Sequence, residues 1–214
     1  MLDLQTTAQV GREKLPGILV APKSATGLVI FAHGSGSSRF SARNRQVASA
    51  LNQAGMAALL FDLLSPEEEV GRRDIVFDIP LLADRLEDAV RCSQSQFPPG
   101  FPIGLFGAST GAGAALLAAS RLGRGIGAVV SRGGRPDLAG AALEQVSAPT
   151  LLIVGGADLP VLDLNRMALH RLKGIAALEI VPGATHLFPE PGAMEQVAQM
   201  AASWFERYLT ENPE

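Results

Sequence analysis

The chain is short of the residues that would point to metal, redox or membrane chemistry: 214 residues include one cysteine, three histidines, one tryptophan and one tyrosine. A lone Cys92 excludes an internal disulfide and any site built from several thiolates. It reads as a buried thiol on a helix. No apolar segment approaches the length of a membrane span, and Met1-Leu-Asp-Leu-Gln-Thr6 has neither the basic start nor the apolar centre of a secretory signal. The expected setting is the cytoplasm. Neither sign of charge dominates, since 18 Lys and Arg against 21 Asp and Glu leave a net charge of -3. That balance gives no electrostatic case for nucleic acid or an anionic membrane, so the expected partner is a small molecule. A homodimer stays open. Internal repeats and low-complexity linkers are missing too, and Glu67-Glu68-Glu69 is too short to mean more than a solvated loop or a helix start.

What is plentiful is apolar residue, at 47%, together with 23 glycines. Residues 1–214 suit a single α/β domain large enough for a substantial core. Two β-like stretches, Leu4 to Val10 and Leu15 to Ala21, flank the polar turn Gly11-Arg12-Glu13-Lys14 and read as an opening hairpin. Leu28 to Ala32 is an unbroken apolar run of the kind that fills a strand buried on both faces. Helical spacing from Ser41 to Ala54 and a strand from Met56 to Phe61 follow, then an irregular stretch from Leu63 to Ile79. After a helix from about Pro80 to Gln96 the alternation becomes strict. Strand Phe101 to Phe106, helix Thr110 to Leu122, strand Ile126 to Ser131 and a short helix near Leu138 to Val146 come first. Strand Thr150 to Val154, helix Val161 to Leu172, strand Ala177 to Val181 and helix Gly192 to Leu209 complete it. This order specifies a mostly parallel eight-stranded sheet flanked by helices, with ligand chemistry at the carboxyl ends of the strands.

Gly107-Ala108-Ser109-Thr110-Gly111 joins an apolar strand to a small-residue helix, which places a serine at the apex of a tight strand-turn-helix bend. A serine hydroxyl is a poor nucleophile at neutral pH, so acyl transfer needs a base to take its proton and a carboxylate to orient that base. His186 follows the last strand. Of the other two histidines, His170 lies inside a helix, and His33 precedes a glycine-rich loop that it would brace. Asp158 follows strand Thr150 to Val154 and is the preferred acid, with Asp62, Asp137 and Asp163 as rivals. Ser35 N–H, in His33-Gly34-Ser35-Gly36, and Thr110 N–H, at the start of a helix, are the expected donors to an oxyanion. His33, Gly34, Phe40, Leu187 and Phe188 are candidates to line the substrate site. Arg132 and Arg135 are candidates to hold a substrate carboxylate, the alternative for both being a salt bridge to Asp137 or Asp62.

The segments Phe31-Ala-His-Gly-Ser-Gly-Ser-Ser38, Phe106-Gly-Ala-Ser-Thr-Gly111, Ser131-Arg-Gly-Gly-Arg-Pro-Asp137 and Pro182-Gly-Ala-Thr-His-Leu-Phe188 resemble the α/β-hydrolase superfamily. Within it they are similar to the capless, dienelactone-hydrolase-like branch, and to bacterial hydrolases some of which are fused to phosphoribosyltransferase domains. The chain order Ser109, Asp158, His186 is that of this superfamily. Dienelactone hydrolases proper carry cysteine where this chain has Ser109, so the resemblance implies ester hydrolysis through an acyl-serine, with no metal or organic cofactor. Only Arg132 to Ala148 fills the connection where many relatives insert a cap, so the expected pocket is shallow and suits small or varied acyl groups. Lactone, thioester or amide hydrolysis with the same residues, and a non-catalytic binding protein of this fold, are the alternatives.

Overall fold

A computed structural model describes residues 4–71 and 74–210. Leu4–Val10 (β1) and Leu15–Ala21 (β2) form the opening hairpin, and β2 then runs antiparallel to Ala57–Phe61 (β4). The remaining pairs are parallel: Leu28–Ala32 (β3), Ile103–Ala108 (β5), Ala128–Arg132 (β6), Thr150–Gly155 (β7) and Ala176–Val181 (β8). The eight strands lie in the order β1-β2-β4-β3-β5-β6-β7-β8. Every residue of β3 through β7 is buried, which is what continuous apolar runs produce when helices cover both faces of a parallel sheet.

Alternation along each strand divides the core in two. Leu28 and Ile30 of β3 face a layer that contains Leu82, Leu86 and Val90 of Ile79–Gln94 (α3), Ala115 of Thr110–Leu122 (α4) and Ala168 of Leu159–Arg171 (α5). Val29 and Phe31 face Val47 and Leu51 of Ala42–Gln53 (α1) and Val197 and Phe205 of Ala193–Leu209 (α6). Phe31 meets Phe106 with ring centroids 4.8 Å apart. Each large apolar side chain buried in this way contributes about 1.5–3 kcal/mol. Among the described residues no helix is long and apolar enough to cross a membrane.

The stretch from Leu63 to Ile79 is more ordered than its composition suggests. Pro66–Gly71 (α2) is a helix, and a 3₁₀ turn covers Ile75–Phe77. The cause is a reciprocal cap: Ser65 N–H donates to Glu68 Oε2 at 2.8 Å, and Glu68 N–H donates to Ser65 Oγ at 3.2 Å. Serine followed three residues later by glutamate, with proline at the first helical position, is a helix-start signature. The short helix expected near Leu138 to Val146 is instead a 3₁₀ segment, Pro136–Gln145, interrupted by Gly140 at φ 55°. It is all that stands between β6 and β7 besides loop, so the domain has no cap. Cys92 is half-buried on α3 rather than buried, because its neighbours Leu86, Ala89 and Val90 take the inward face.

Candidate active site

Ser109 sits between β5 and α4 at φ 51° and ψ -122°, a left-handed conformation that costs a residue with a side chain of order 1–3 kcal/mol. The crowding around it permits only small neighbours. A Cβ on Gly107 would fall 2.4 Å from Ala112 Cα, and one on Gly111 would fall 2.3 Å from Ala32 O. The elbow is therefore a consequence of strand, turn and helix being pressed together with no side chains at the contacts. Ser109 N–H and Arg135 N–H fasten it to the β6 loop, the first through Arg132 O at 3.2 Å and the second through Ser109 O at 3.0 Å.

His186 and Asp158 arrive from the loops after β8 and β7. These loops are tied together, since Gly156 N–H donates to Val181 O at 2.8 Å and Ala157 N–H donates to Ala184 O at 2.9 Å. His186 Nε2 lies 3.4 Å from Ser109 Oγ, and His186 Nδ1 lies 2.7 Å from Asp158 Oδ2. An ionised carboxylate can only accept, so Nδ1 carries the proton and donates it, which leaves Nε2 as an acceptor facing the hydroxyl. Asp158 is the N-cap of α5 and its side chain makes no cap hydrogen bond; its carboxylate is turned to the imidazole instead. The rival carboxylates are engaged elsewhere. Asp62 accepts from Arg39 N–H at 2.7 Å and pairs with the Arg39 guanidinium. Asp137 takes both arms of Arg135 at 2.9 and 2.7 Å, and Asp163 pairs with Arg166 at 3.1 Å. His170 is exposed in the last turn of α5.

On the other side of the serine, Gly34 is so close that a Cβ there would meet Ser109 Cβ at 2.9 Å. Ser35 N–H, expected to be an open donor, already donates to Thr110 Oγ1 at 3.0 Å. The reason is that Thr110, buried in the first turn of α4, directs its hydroxyl back across the gap to the loop after β3. His33 holds the same loop from its other side. Its Nε2 accepts from Leu63 N–H at 3.0 Å and its Nδ1 faces Gly34 O at 3.0 Å. With both ring nitrogens satisfied by backbone and the ring buried, it braces the loop while lining the small hollow beside Gly34.

Phe40 and Leu187 are exposed, the former with Arg39 stacked on its ring, whereas Phe188 is fully buried beneath the histidine loop at φ 54°. Phe188 is therefore a floor and not a wall. Arg135 makes the salt bridge to Asp137, while Arg132 is buried and pairs with no carboxylate among the described residues; its Nη2 donates to Asn44 Oδ1 at 3.3 Å. Sequence reasoning missed Glu190, whose Oε1 accepts from Thr185 N–H at 3.0 Å and Thr185 Oγ1 at 2.7 Å and so anchors the histidine loop. Those hydrogen bonds hold the Glu190 carboxyl below its usual range. A glutamate four residues beyond the histidine carries no periodic signal that would mark it. A hollow of about 10 Å³ reaches the Gly34–Gly36 loop, and wider grooves of about 490 and 620 Å³ lie on α6, away from Ser109.

A sheet of this order, with a nucleophile-type elbow after β5 and no insertion between β6 and β7, defines an α/β-hydrolase fold. The family model for the dienelactone hydrolase family matches residues 15–210, and the chain belongs to that family. A dienelactone hydrolase from Anabaena variabilis is 53% identical, with a TM-score of 0.91 over 97% of this chain and 98% of that one. Est1E from Butyrivibrio proteoclasticus, at 15% identity, shares the fold with a TM-score of 0.77 over 97% of this chain and 99% of its own. Two curated Mycobacterium tuberculosis proteins, provisionally named phosphoribosyl transferases, are 55% identical over 208 residues. Those alignments cover 97% of this chain and 47% of theirs, so the chain spans about half the length of the curated relatives it matches.

Proposed function

We propose that the protein is a serine hydrolase that cleaves carboxylic esters of small or varied acyl groups through an acyl-enzyme on Ser109. The observation that carries this reading is the relay of contacts from Ser109 Oγ to His186 Nε2 at 3.4 Å and from His186 Nδ1 to Asp158 Oδ2 at 2.7 Å. His186 Nε2 takes the hydroxyl proton as Ser109 Oγ attacks the ester carbonyl. Asp158 holds the imidazole in the tautomer with Nδ1 protonated and stabilises the cation that forms. His186 then gives the proton to the leaving alkoxide, and a water deprotonated by the same nitrogen releases the acid from the serine.

The oxyanion of each tetrahedral intermediate faces Thr110 N–H at the positive end of α4. Ser35 N–H joins it as its hydrogen bond to Thr110 Oγ1 gives way to the stronger, charged acceptor. An uncapped surface at the carboxyl edge, bordered by exposed Phe40 and Leu187, favours substrates that need little burial. The likeness to a dienelactone hydrolase supports a second substrate class, lactones, for the same residues. A panel of aryl esters, lactones, thioesters and amides assayed on the purified protein tests the reading. Turnover of esters that vanishes in Ser109→Ala is the expected result, and ester turnover retained by that variant overturns it.

A further inference from the structure

The elbow places Thr110 beside the nucleophile with its side chain only half committed. Thr110 is 5% exposed and opens α4. Its Oγ1 accepts from Ser35 N–H at 3.0 Å, and its own proton meets no acceptor among the described residues. A hydroxyl carries one donor besides its lone pairs, and a buried one seldom leaves that donor idle. Inside a helix such a proton turns back to the carbonyl four residues earlier. Thr110 has no preceding turn to receive it, because that carbonyl belongs to Phe106 of β5, a strand paired with β3 on one side and β6 on the other.

The idle proton lies where the chemistry needs a donor. Gly34 approaches the nucleophile so closely that a Cβ there would fall 3.7 Å from Ser109 Oγ, and Ser35 N–H is the next donor along that loop. The loop is fixed from behind, since Gly34 O accepts from Ser37 N–H at 3.2 Å and from His33 Nδ1 at 3.0 Å. α4 is pressed against the same loop, because a Cβ on Gly111 would fall 2.6 Å from His33 O. Thr110 Oγ1 therefore sits between the two backbone donors, held to Ser35 N–H by contact and to Thr110 N–H by covalent attachment. An oxygen within reach of both donors is also beside Oγ1. Rotation about the Cβ–Oγ1 bond is enough to aim the proton at it, with no movement of heavy atoms.

We propose that Thr110 acts through its side chain as well as its backbone: the hydroxyl is a third donor to the oxyanion that forms when Ser109 Oγ adds to a carbonyl. At rest Oγ1 accepts from Ser35 N–H. As the negative oxygen develops and draws that N–H to itself, the Thr110 proton turns to the same oxygen, so the charge meets two N–H groups and one O–H. The proton stays on Oγ1 throughout, and the contact is released when the carbonyl re-forms. Thr110 is thereby a catalytic residue, in acylation and in deacylation alike. This role rests on the hydrolytic reading only in requiring Ser109 as the nucleophile.

Titration of the full chain with phenylethyl trifluoromethyl ketone, followed by fluorine NMR, reads the oxyanion without turnover, because addition of Ser109 Oγ to that ketone leaves a stable tetrahedral adduct. Steady-state kinetics on an aryl ester with the same phenylethyl arm on its acyl carbon gives the rate. Thr110→Val keeps the shape and the backbone N–H but removes the hydroxyl. It should lower kcat about a hundredfold, with KM within about threefold of wild type, and weaken the ketone adduct by about the same factor as kcat. Thr110→Ser, which restores the hydroxyl, should regain at least about a tenth of the wild-type values. Thr110→Ala replaces Thr110→Val should the latter not fold, and the same losses are expected of it. An unchanged or raised kcat without the hydroxyl, the result if Oγ1 only masks Ser35 N–H, overturns the third donor. So does a loss that Thr110→Ser does not rescue, or a fall in kcat with no matching fall in ketone affinity. A wild-type protein that forms the adduct, weakens it in Thr110→Val and hydrolyses no ester keeps the third donor and removes the esterase reading; one that forms no adduct overturns both.

Discussion

Along α3 the guanidinium groups of Arg12, Arg85, Arg91 and Arg121 lie 2.7 to 3.0 Å from the carboxylates of Asp88, Glu68, Glu87 and Asp84. At the carboxyl edge of the sheet Arg132 meets an amide, Arg43 Nε is buried with no acceptor among the described residues, and Asp158 is turned to a histidine instead of an arginine. The first region satisfies its charges internally, and most of its pairs reach solvent, where such pairs add little stability. The second leaves donors and acceptors uncommitted at a place where the chain also holds a serine in a strained conformation. A folded protein tolerates both costs only where the surrounding sheet over-determines the geometry. Here five fully buried strands do so.

Substitutions should therefore separate activity from stability according to region. The largest effect is expected at the elbow: Ser109→Ala and His186→Ala should each lower kcat by at least about a thousandfold, while circular dichroism shows an unchanged melting transition. Equal loss of melting temperature would make these residues structural and break the contrast. Next, Asp158→Asn should lower kcat by roughly a thousandfold or more by favouring the wrong imidazole tautomer. Asp62→Asn, which disturbs only the pairing with Arg39, should change kcat far less, and steady-state kinetics on both variants ranks the two carboxylates.

A smaller effect is expected from Glu190→Gln, which keeps the shape but weakens the anchor of the histidine loop. Glu190 is held below its usual range, first by the Thr185 hydroxyl, so its contribution is complete above the unfolded value and is lost as pH falls through the folded one. The variant should lose several-fold in kcat/KM at neutral pH, and the acid-side fall of the wild-type profile that Glu190 contributes should flatten. The smallest effect belongs to α3. Arg121→Ala should cost no more than about 1 kcal/mol in denaturant unfolding and leave kcat unchanged. Asp88 is held low chiefly by its hydrogen bond from Arg12, so that pair stabilises the fold above the unfolded Asp value and fades as pH falls toward the folded one. Arg12→Ala should remove that part of the acid sensitivity of the melting temperature.

Much of this was legible from the order of residues alone. Continuous apolar runs such as Leu28 to Ala32 identify strands buried on both faces because no alternating pattern survives there, and the glycines around Ser109 mark the bend. Chain order brought Ser109, Asp158 and His186 to three strand ends, and the structure places their side chains in contact. Legibility failed where side chains choose partners across the fold. Nothing in the sequence says that Thr110 Oγ1 meets Ser35 N–H, or that His33 is consumed by Leu63, because both depend on the spacing of two loops. The capping pair Ser65 and Glu68 was visible but sat in a segment whose composition reads as loop. Arg132, the last residue of β6, and Arg135, in the loop that follows, are three residues apart, yet Arg135 has Asp137 within reach and Arg132, on the α1 side of the sheet, does not.

The account depends most on Ser109 being activated by His186. Intact-mass measurement after exposure to a fluorophosphonate probe, with peptide mapping of the adduct, reads this directly. One adduct per chain on Ser109 is predicted, absent in Ser109→Ala and formed at least about a hundredfold more slowly in His186→Ala. An unlabelled wild-type protein, or an adduct that forms equally fast without His186, would contradict it.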